Sequence, residues 1–226
     1  MTANRSIWFV IAAMDEGSVI GDVIRPLVPH GQVLLVDDGS KDDTGEVAHA
    51  AGAHVLAHLL NRGQGAALQT GITYALRNGA THVVTFDADG QHRLEDALAM
   101  IKRLDAENLD VVLGSRFLGS TVNMSWRKGL VLKAAVAFTR LTTGLRLTDT
   151  HNGLRVFSRA GAQAITIRQD RMAHASEILN QIAKQKLRFA ESPVTIIYTE
   201  YSIAKGQRLS NSVRILEDLF MERLTR

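Results

Sequence analysis

The sequence predicts an α/β protein: a single domain built on a mainly parallel sheet, with helices on both faces. Three observations predict it. Short β-rich runs alternate with helical stretches through the first 115 residues, joined by short connections. A length of 226 residues suits one large α/β domain with a sizeable core. No internal repeat or Pro/Gly-rich linker divides the chain, which has only 3 prolines.

The first strand is read in Ser6–Ala12, an apolar run, and the first helix in Glu16–Leu27. β-rich runs recur at Gln32–Val36, His54–Ala57, His82–Phe86 and Asp110–Leu113. Between them, helices are expected over Asp42–Ala51, Gly65–Arg77 and Leu94–Asp105. In Gly65–Arg77, Ala66, Leu68, Ile72, Ala75 and Leu76 keep helical spacing, and Gly79 stops the helix. After Arg116 the pattern changes. Trp126–Thr142 reads as a long helix, Asp149–Phe157 as a loop entering a strand, and Met172–Lys186 as a helix. Val194–Tyr198 reads as a strand and Leu209–Leu224 as a final amphipathic helix.

Composition narrows the function classes. Apolar residues make up 46% and charged residues 22%, ordinary values for a globular protein. Cysteine is absent, which excludes disulfide frameworks, thiolate metal sites and a cysteine nucleophile. The net charge of +3 conceals an asymmetry. Through Ser115 there are 8 Lys and Arg against 15 Asp and Glu, a net −7; from Arg116 there are 18 against 8, a net +10. Such a split bears on ligands rather than on fold. No aromatic-interleaved basic strip accompanies the cations, so nucleic acid is not expected. The apolar start is too short for a signal peptide, and the longest membrane candidate, Gly129–Phe138, is interrupted by Lys133. The expected location is the cytoplasm, with peripheral contact to the inner face of the cell membrane left open.

If ligands bind at the carboxyl ends of the strands, the informative residues should follow the strands, and they do. Asp87 and Asp89 follow the apolar strand His82–Phe86 within Thr85-Phe86-Asp87-Ala88-Asp89-Gly90-Gln91-His92. Two carboxylates so close repel unless a cation lies between them, and hard oxygen donors suit Mg2+ or Mn2+ shared with substrate phosphates. Gln91 adds a neutral oxygen on the same turn. A second strand ends in Asp37-Asp38-Gly39-Ser40, where a carboxylate can accept from a base edge or ribose hydroxyl. Ser40 or Asp42 can also N-cap the next helix, so part of this motif is structural. The first strand ends in Ala12-Ala13-Met14-Asp15-Glu16, with small residues leaving room for a flat ligand and Glu16 as an acceptor. Asn61-Arg62-Gly63-Gln64-Gly65 opens a helix, where glycines, a helix N-terminus and Arg62 suit a diphosphate. Of the eight histidines, none is taken as a metal ligand.

Together these motifs, with Gly114-Ser115-Arg116, resemble family-2 glycosyltransferases of the GT-A fold, in the dolichyl- or polyprenyl-phosphate mannose synthase-like branch. The likeness runs in order across about residues 7–200. It implies an inverting, metal-dependent enzyme moving a hexose from a GDP- or UDP-linked nucleotide-sugar to polyprenyl or dolichyl phosphate. It implies that Asp87, Asp89 and Gln91 bind Mg2+ or Mn2+, and that Glu16 and Asp37 hold the nucleoside. Ala13, Asp38, Asn61, Arg62, Gly65 and Ala88 complete the donor site, and Lys205 closes over its phosphates. Arg116 and Arg155 would face acceptor or donor phosphates, and Asp89, Arg116 and Asp149 are the catalytic candidates. The loop Asp149-Thr150-His151-Asn152-Gly153-Leu154-Arg155 resembles the acceptor-side loop. Residues 1–115 would form the donor half and 116–226 the acceptor half of one domain.

Alternatives remain at this stage. A glycan hydroxyl as acceptor would require a general base, for which Asp149 is the substitute. A sugar-1-phosphate nucleotidyltransferase would need a basic Gly-rich loop that Ala12–Gly17 does not offer. A non-catalytic nucleotide-sugar binder would tolerate loss of Asp87 and Asp89, both of which are intact. Trp126, Arg127 and Lys128 begin a helix that suits either a membrane interface or a core with a solvated basic face. The final helix suits either pairing with a second copy or packing on the sheet.

Overall fold

The computed structural model describes residues 5–170 and 173–206. The expected final helix, the start of the Met172–Lys186 helix, and the side chains of Arg127 and Lys128 lie outside the described residues. Seven strands form one sheet: β1 (Ile7–Ala13), β2 (Gln32–Asp37), β3 (His54–Ala57), β4 (His82–Asp87), β5 (Val111–Val122), β6 (Arg155–Ser158) and β7 (Phe189–Ile197). The helices are α1 (Gly17–Ile24), α2 (Thr44–Ala50), α3 (Gln64–Arg77), α4 (Leu94–Ala106), α5 (Trp126–Thr143), α6 (Arg159–Ala164), α7 (His174–Lys184) and α8 (Glu200–Gly206).

β1 occupies the middle because it is apolar on both faces. Phe9, Ile11 and Ala13 join one core cluster, with Ile20 and Ile24 of α1 and Met100 of α4. Trp8 and Val10 point the other way, into a second cluster with Leu68 and Ile72 of α3 and Ile178 of α7. Alternate side chains of one strand thus fill two cores, the signature of a strand covered on both sides. α3 lies so close to β1 that a Cβ on Gly71 would collide with Val10.

The strand order is β3-β2-β1-β4-β6-β5-β7. β1 pairs in parallel with both β2 and β4, so the chain winds outward to β3 and then crosses back. That reversal is a topological switch point, where a crevice opens beyond the carboxyl ends of the strands. β6 is antiparallel to β4 and β5, while β5 runs parallel to β7. The antiparallel insertion delivers the loop before β6, residues 149–154, to the carboxyl end of β4.

Several boundaries differ from the sequence expectation. α1 ends at Ile24 rather than Leu27, since Pro26 has no N–H with which to continue the helical hydrogen-bond ladder. β7 starts at Phe189 and carries Pro193, which is tolerated because β7 is an edge strand. β5 runs on to Val122 through an irregularity between Ser115 and Ser120. α6 and α8 were not expected, because six and seven residues are too few to display helical periodicity.

Candidate active site

A cavity of about 390 Å³ opens at the switch point. β1 supplies its Ala12–Ala13 wall, with Met14 and Glu16 from the loop after it; β2 leads into Asp38, β3 into Asn61, Gly63 and Gln64, and β4 into Asp87, Ala88 and Asp89. Most of the donor-site expectations therefore meet in one place. Asp37, Arg62, Gly65, Gln91, Arg116, Asp149, Arg155 and Lys205 are not part of this lining.

Two of the acids do local work first. Asp37 accepts a hydrogen bond from the Ser40 amide (2.9 Å), closing the turn that Gly39 makes at φ +79°. Asp38 is buried and accepts from the amides of Arg62 (2.9 Å) and Gly63 (2.6 Å) and contacts His58 Nδ1 at 2.7 Å. Asp170 O takes the Gly65 amide (2.8 Å) and the Ala66 amide (3.4 Å). The Arg62–Gly63 loop and the first turn of α3, expected to offer N–H groups to a diphosphate, thus give four of them to the protein itself. The Asn61 and Gln64 side chains are what that loop presents to the cavity, while Arg62 is exposed beside it.

The β1–α1 turn is braced from outside. Ser40 Oγ accepts from the Asp15 amide (3.0 Å), Thr44 Oγ1 from the Glu16 amide (2.8 Å), and Asp42 Oδ2 from the Gly17 amide (3.0 Å). Asp15 sits at φ +54°, a conformation that costs a non-glycine residue energy and persists only when surroundings enforce it. Glu16 uses one oxygen on Tyr201 Oη (2.7 Å) and the other on Lys205 Nζ (2.8 Å). Lys205 also donates to the carbonyls of Met14 (2.9 Å) and Asp15 (2.6 Å). Lys205 was expected over the donor phosphates; here it stands at the β1–α1 loop. Burial alone would lower its ammonium, and Glu16 more than reverses that, so its pKa is raised.

Asp87 and Asp89 diverge electrostatically. Burial would raise Asp87, but His92, then Arg155 and His174, outweigh it and hold the carboxyl below its ordinary range. Asp89 is pushed up to about 6, by burial first and by the neighbouring Asp87 charge second. Gln91 donates to Asp89 through its backbone amide (3.1 Å) and Nε2 (2.7 Å), which directs the side-chain nitrogen to Asp89 and leaves Oε1 as its donor oxygen for a cation. Among the described residues, no three His, Asp or Glu side chains are grouped for an ion. Two adjacent carboxylates in a cavity, mutually repelling, nonetheless fit a hard cation that brings its remaining ligands from a diphosphate and water.

The catalytic assignments for Arg116 and Asp149 need correction in their geometry. Arg116 is 7% exposed and each guanidinium nitrogen has a partner: Nε donates to Asp149 Oδ2 (2.6 Å), NH1 to Tyr198 Oη (2.9 Å), and NH2 to His151 O (2.7 Å). Asp149, also buried, accepts the Arg116 amide at 3.1 Å and the His151 amide at 3.2 Å. Guanidinium and carboxylate face each other rather than a ligand. Burial would lower the Arg116 guanidinium; Asp149 and Tyr198 overcome it and raise its pKa. His151, buried beside two arginines, is driven down to about 4 despite Asp149, so it is neutral at pH 7. Arg155 is buried, with NH1 lacking a partner, and burial depresses its pKa. Glu191 ties the loop down, accepting from the Thr148 amide (2.8 Å) and Oγ1 (2.9 Å) and the Asp149 amide (3.1 Å). Thr85 Oγ1 donates to Gly153 O (2.7 Å), and a Cβ on Gly153 would strike the Asp87 carboxylate.

Sequence reasoning missed Gln64, His58, Tyr201 and His92 as partners of site residues. Gln64 and His92 left a readable signal, Gln64 in the Asn61–Gly65 motif and His92 on the turn that carries both aspartates.

An acidic cavity at the switch point of a mainly parallel sheet suits a nucleotide-linked ligand, and the family match gives the class: a glycosyltransferase. The chain belongs to glycosyl transferase family 2, matched over residues 9–166. It is 31% identical to the UDP-N-acetylglucosamine--dolichyl-phosphate N-acetylglucosaminyltransferase of Methanococcus voltae, over 97% of this chain and 96% of that one. It is 30% identical to the undecaprenyl-phosphate mannosyltransferase of Micrococcus luteus, over 80% of this chain and 78% of the other. Among solved structures it resembles glucosyl-3-phosphoglycerate synthase from Mycobacterium tuberculosis in complex with Mn2+ and UDP-glucose. That match has a TM-score of 0.72 at 20% identity, covering 97% of this chain and 79% of that one.

Proposed function

We propose that this protein transfers a hexose from a nucleotide-sugar to polyprenyl or dolichyl phosphate, inverting the anomeric centre with the help of Mg2+ or Mn2+. The observation that carries the reading is the cavity itself, with Asp87 and Asp89 beside a wall of small β1 residues. The lipid-phosphate acceptors named for the Methanococcus and Micrococcus relatives support a lipid-phosphate acceptor, and the first of them makes a UDP-sugar the first donor to test. Residues 1–115 form the donor half and residues 116–226 the acceptor half.

The nucleoside lies along Ala12–Ala13 and Met14, within reach of Glu16, Asp38 and Asn61. Asp87 and Asp89, with the Gln91 side-chain Oε1, would hold the divalent ion, which as a Lewis acid would offset charge on the departing diphosphate. An oxygen of the acceptor phosphate forms the new bond to the anomeric carbon as the bond to the diphosphate breaks, and the electron pair leaves with the diphosphate. The acceptor is already an anion and requires no base. Asp149, the one residue assigned that task from sequence, is committed to Arg116, and this observation favours lipid phosphate over a glycan hydroxyl.

The acceptor side also suits a membrane. Among the described residues no helix is long and apolar enough to cross one. α5 nevertheless exposes Trp126 (72%), Leu130 (62%) and Leu141 (87%). Beside it a cavity of about 660 Å³ combines Phe117, Val136 and Leu141 with Lys133 and Arg140. An apolar face with cations suits an anionic interface. Lys133→Glu combined with Trp126→Ala is expected to reduce co-sedimentation with phosphatidylglycerol vesicles several-fold, without changing nucleotide binding. Equal sedimentation of variant and parent removes α5 from the membrane contact.

The direct experiment incubates the protein with Mn2+, a panel of UDP- and GDP-sugars, and undecaprenyl or dolichyl phosphate, and follows lipid-linked sugar. The same panel is read by thermal shift. A lipid-linked product is the expected result. No stabilisation by any nucleotide removes the donor site, and product on glycan acceptors alone replaces the lipid reading with the hydroxyl one.

A further inference from the structure

We propose that His92 is a positioning residue for the metal carboxylate Asp87: its Nε2–H fixes one Asp87 oxygen and so leaves the other turned to the cation. The inference rests on the proposed donor site, which assigns Asp87 and Asp89 to Mg2+ or Mn2+, and adds a residue to it.

Chain geometry brings the two together. Gly90 takes φ +74°, so the chain after Asp89 doubles back and returns residue 92 beneath residue 87. His92 Nε2 lies 2.8 Å from Asp87 Oδ2, and the His92 side chain is only 2% exposed. Its ring packs edge-on against Phe86, with centroids 5.4 Å apart and planes at 72°. An ionised Asp87 carboxylate can only accept, so Nε2 carries the proton in this contact. The opposite oxygen, Oδ1, has a weak neighbour in Gln64 Nε2 at 3.4 Å. One oxygen is therefore anchored and the other is nearly unencumbered.

Asp87 lines the donor cavity, whereas His92 lines a second cavity with Val23, Leu27 and Phe86, and Asp89 borders both. His92 is absent from the donor-cavity lining, and its contact takes only the Oδ2 side of Asp87.

A packing residue at this point would be apolar. His92 Nδ1 is buried without a hydrogen-bond partner, and an unmet buried polar atom costs about 1–3 kcal/mol. An aromatic hydrocarbon ring would fill the space against Phe86 without that cost. What the imidazole supplies and a phenyl ring does not is the donor to Asp87. Residues that orient a metal ligand in this way typically change metal affinity by about 10–100-fold when removed.

The test measures Mn2+ binding directly, from the free-ion signal in electron paramagnetic resonance, with and without UDP. The parent protein is compared with His92→Phe, which keeps the ring and loses the donor, and with His92→Gln, which restores an N–H near the Nε2 position. His92→Leu is a third variant of different shape, and all are checked by thermal melting. The expected result is Mn2+ binding weakened about 10–100-fold in His92→Phe and His92→Leu, with recovery to within about threefold of the parent in His92→Gln. Donor KM measured at saturating Mn2+ is expected to change little, while the KM for Mn2+ rises. Mn2+ binding within twofold of the parent in whichever donor-less variant folds would overturn the proposal. So would equal weakening in His92→Gln. A parent protein that binds no Mn2+, even with UDP, fails the metal site itself and this inference with it.

Discussion

Asp89→Asn is expected to reduce metal-dependent sugar transfer by about 10³-fold or more, and at the same time to make the metal-free protein more stable. The activity loss follows from removing one of two charged oxygen donors from a site that offers few others. The stability gain follows from what the folded state does to that carboxylate. Burial and the Asp87 charge raise Asp89 to about 6 from an ordinary 3.8. At pH 7 it is ionised at a cost that the unfolded chain does not bear. After allowance for screening of a half-buried side chain, that cost is on the order of 1 kcal/mol. The neutral amide has the same shape and no such cost. Denaturant melts without metal measure the gain, and initial rates measure the loss. A variant that is inactive but less stable than the parent would mean that Asp89 serves the fold rather than a cation.

The sign of the accompanying pH effect is fixed by the direction of the shift. Because the folded state takes up the Asp89 proton near pH 6 and the unfolded chain only near 3.8, the native form binds more protons in that window. Stability of the metal-free protein attributable to this group therefore rises as pH falls through 6, and the Asn variant lacks that rise. A bound divalent ion competes with the proton and shifts the window downward.

The parallel strands and their turns were legible because each carries its own local signal. β1, β2 and β4 are apolar runs that end in or lead into acids, and the chain order of Ala13, Asp38 and Asp87 becomes a spatial cluster through the switch-point topology. What the sequence does not reveal is which side chains satisfy each other. Nothing local in Asp38 tells that it will accept from the Arg62 and Gly63 amides 24 and 25 residues later. Arg116 and Asp149 are separated by 33 residues, and each alone looks like a free charge near a cleft. Their pairing depends on β6 inserting antiparallel between β4 and β5, which no periodicity encodes. Lys205 is expected over the donor phosphates because Tyr201-Ser202-x-x-Lys205-Gly206-Gln207 resembles the family's late basic loop; its seat on Glu16 depends on α8, a helix of seven residues. The acidic front half is likewise only partly a metal and nucleoside surface. Asp37, Asp38 and Asp42 spend their oxygens on the turns that shape the cavity.

Arg116→Ala is expected to cost about 3–5 kcal/mol of folding stability, because it leaves Asp149 charged, buried and without its counter-ion. Asp149→Ala should cost a similar amount for the converse reason. The double replacement Arg116→Met with Asp149→Leu is expected to recover much of the loss, since apolar side chains of similar size replace a buried ion pair at little or no net cost. Tyr198 Oη loses one partner in that variant, so recovery should be incomplete. The cycle separates two roles that a single activity assay confuses. If Arg116 acts only by holding the 149–151 loop, the double variant regains stability and regains transfer in proportion. If the guanidinium also reaches a phosphate during turnover, stability returns while transfer to lipid phosphate stays low and release of free sugar from the donor persists. Chemical melts on all four proteins, paired with transfer and donor-hydrolysis rates, distinguish the outcomes. Near-parent stability in Arg116→Ala would show that the pair is dispensable to the fold, and would return Arg116 to the set of residues open to a ligand.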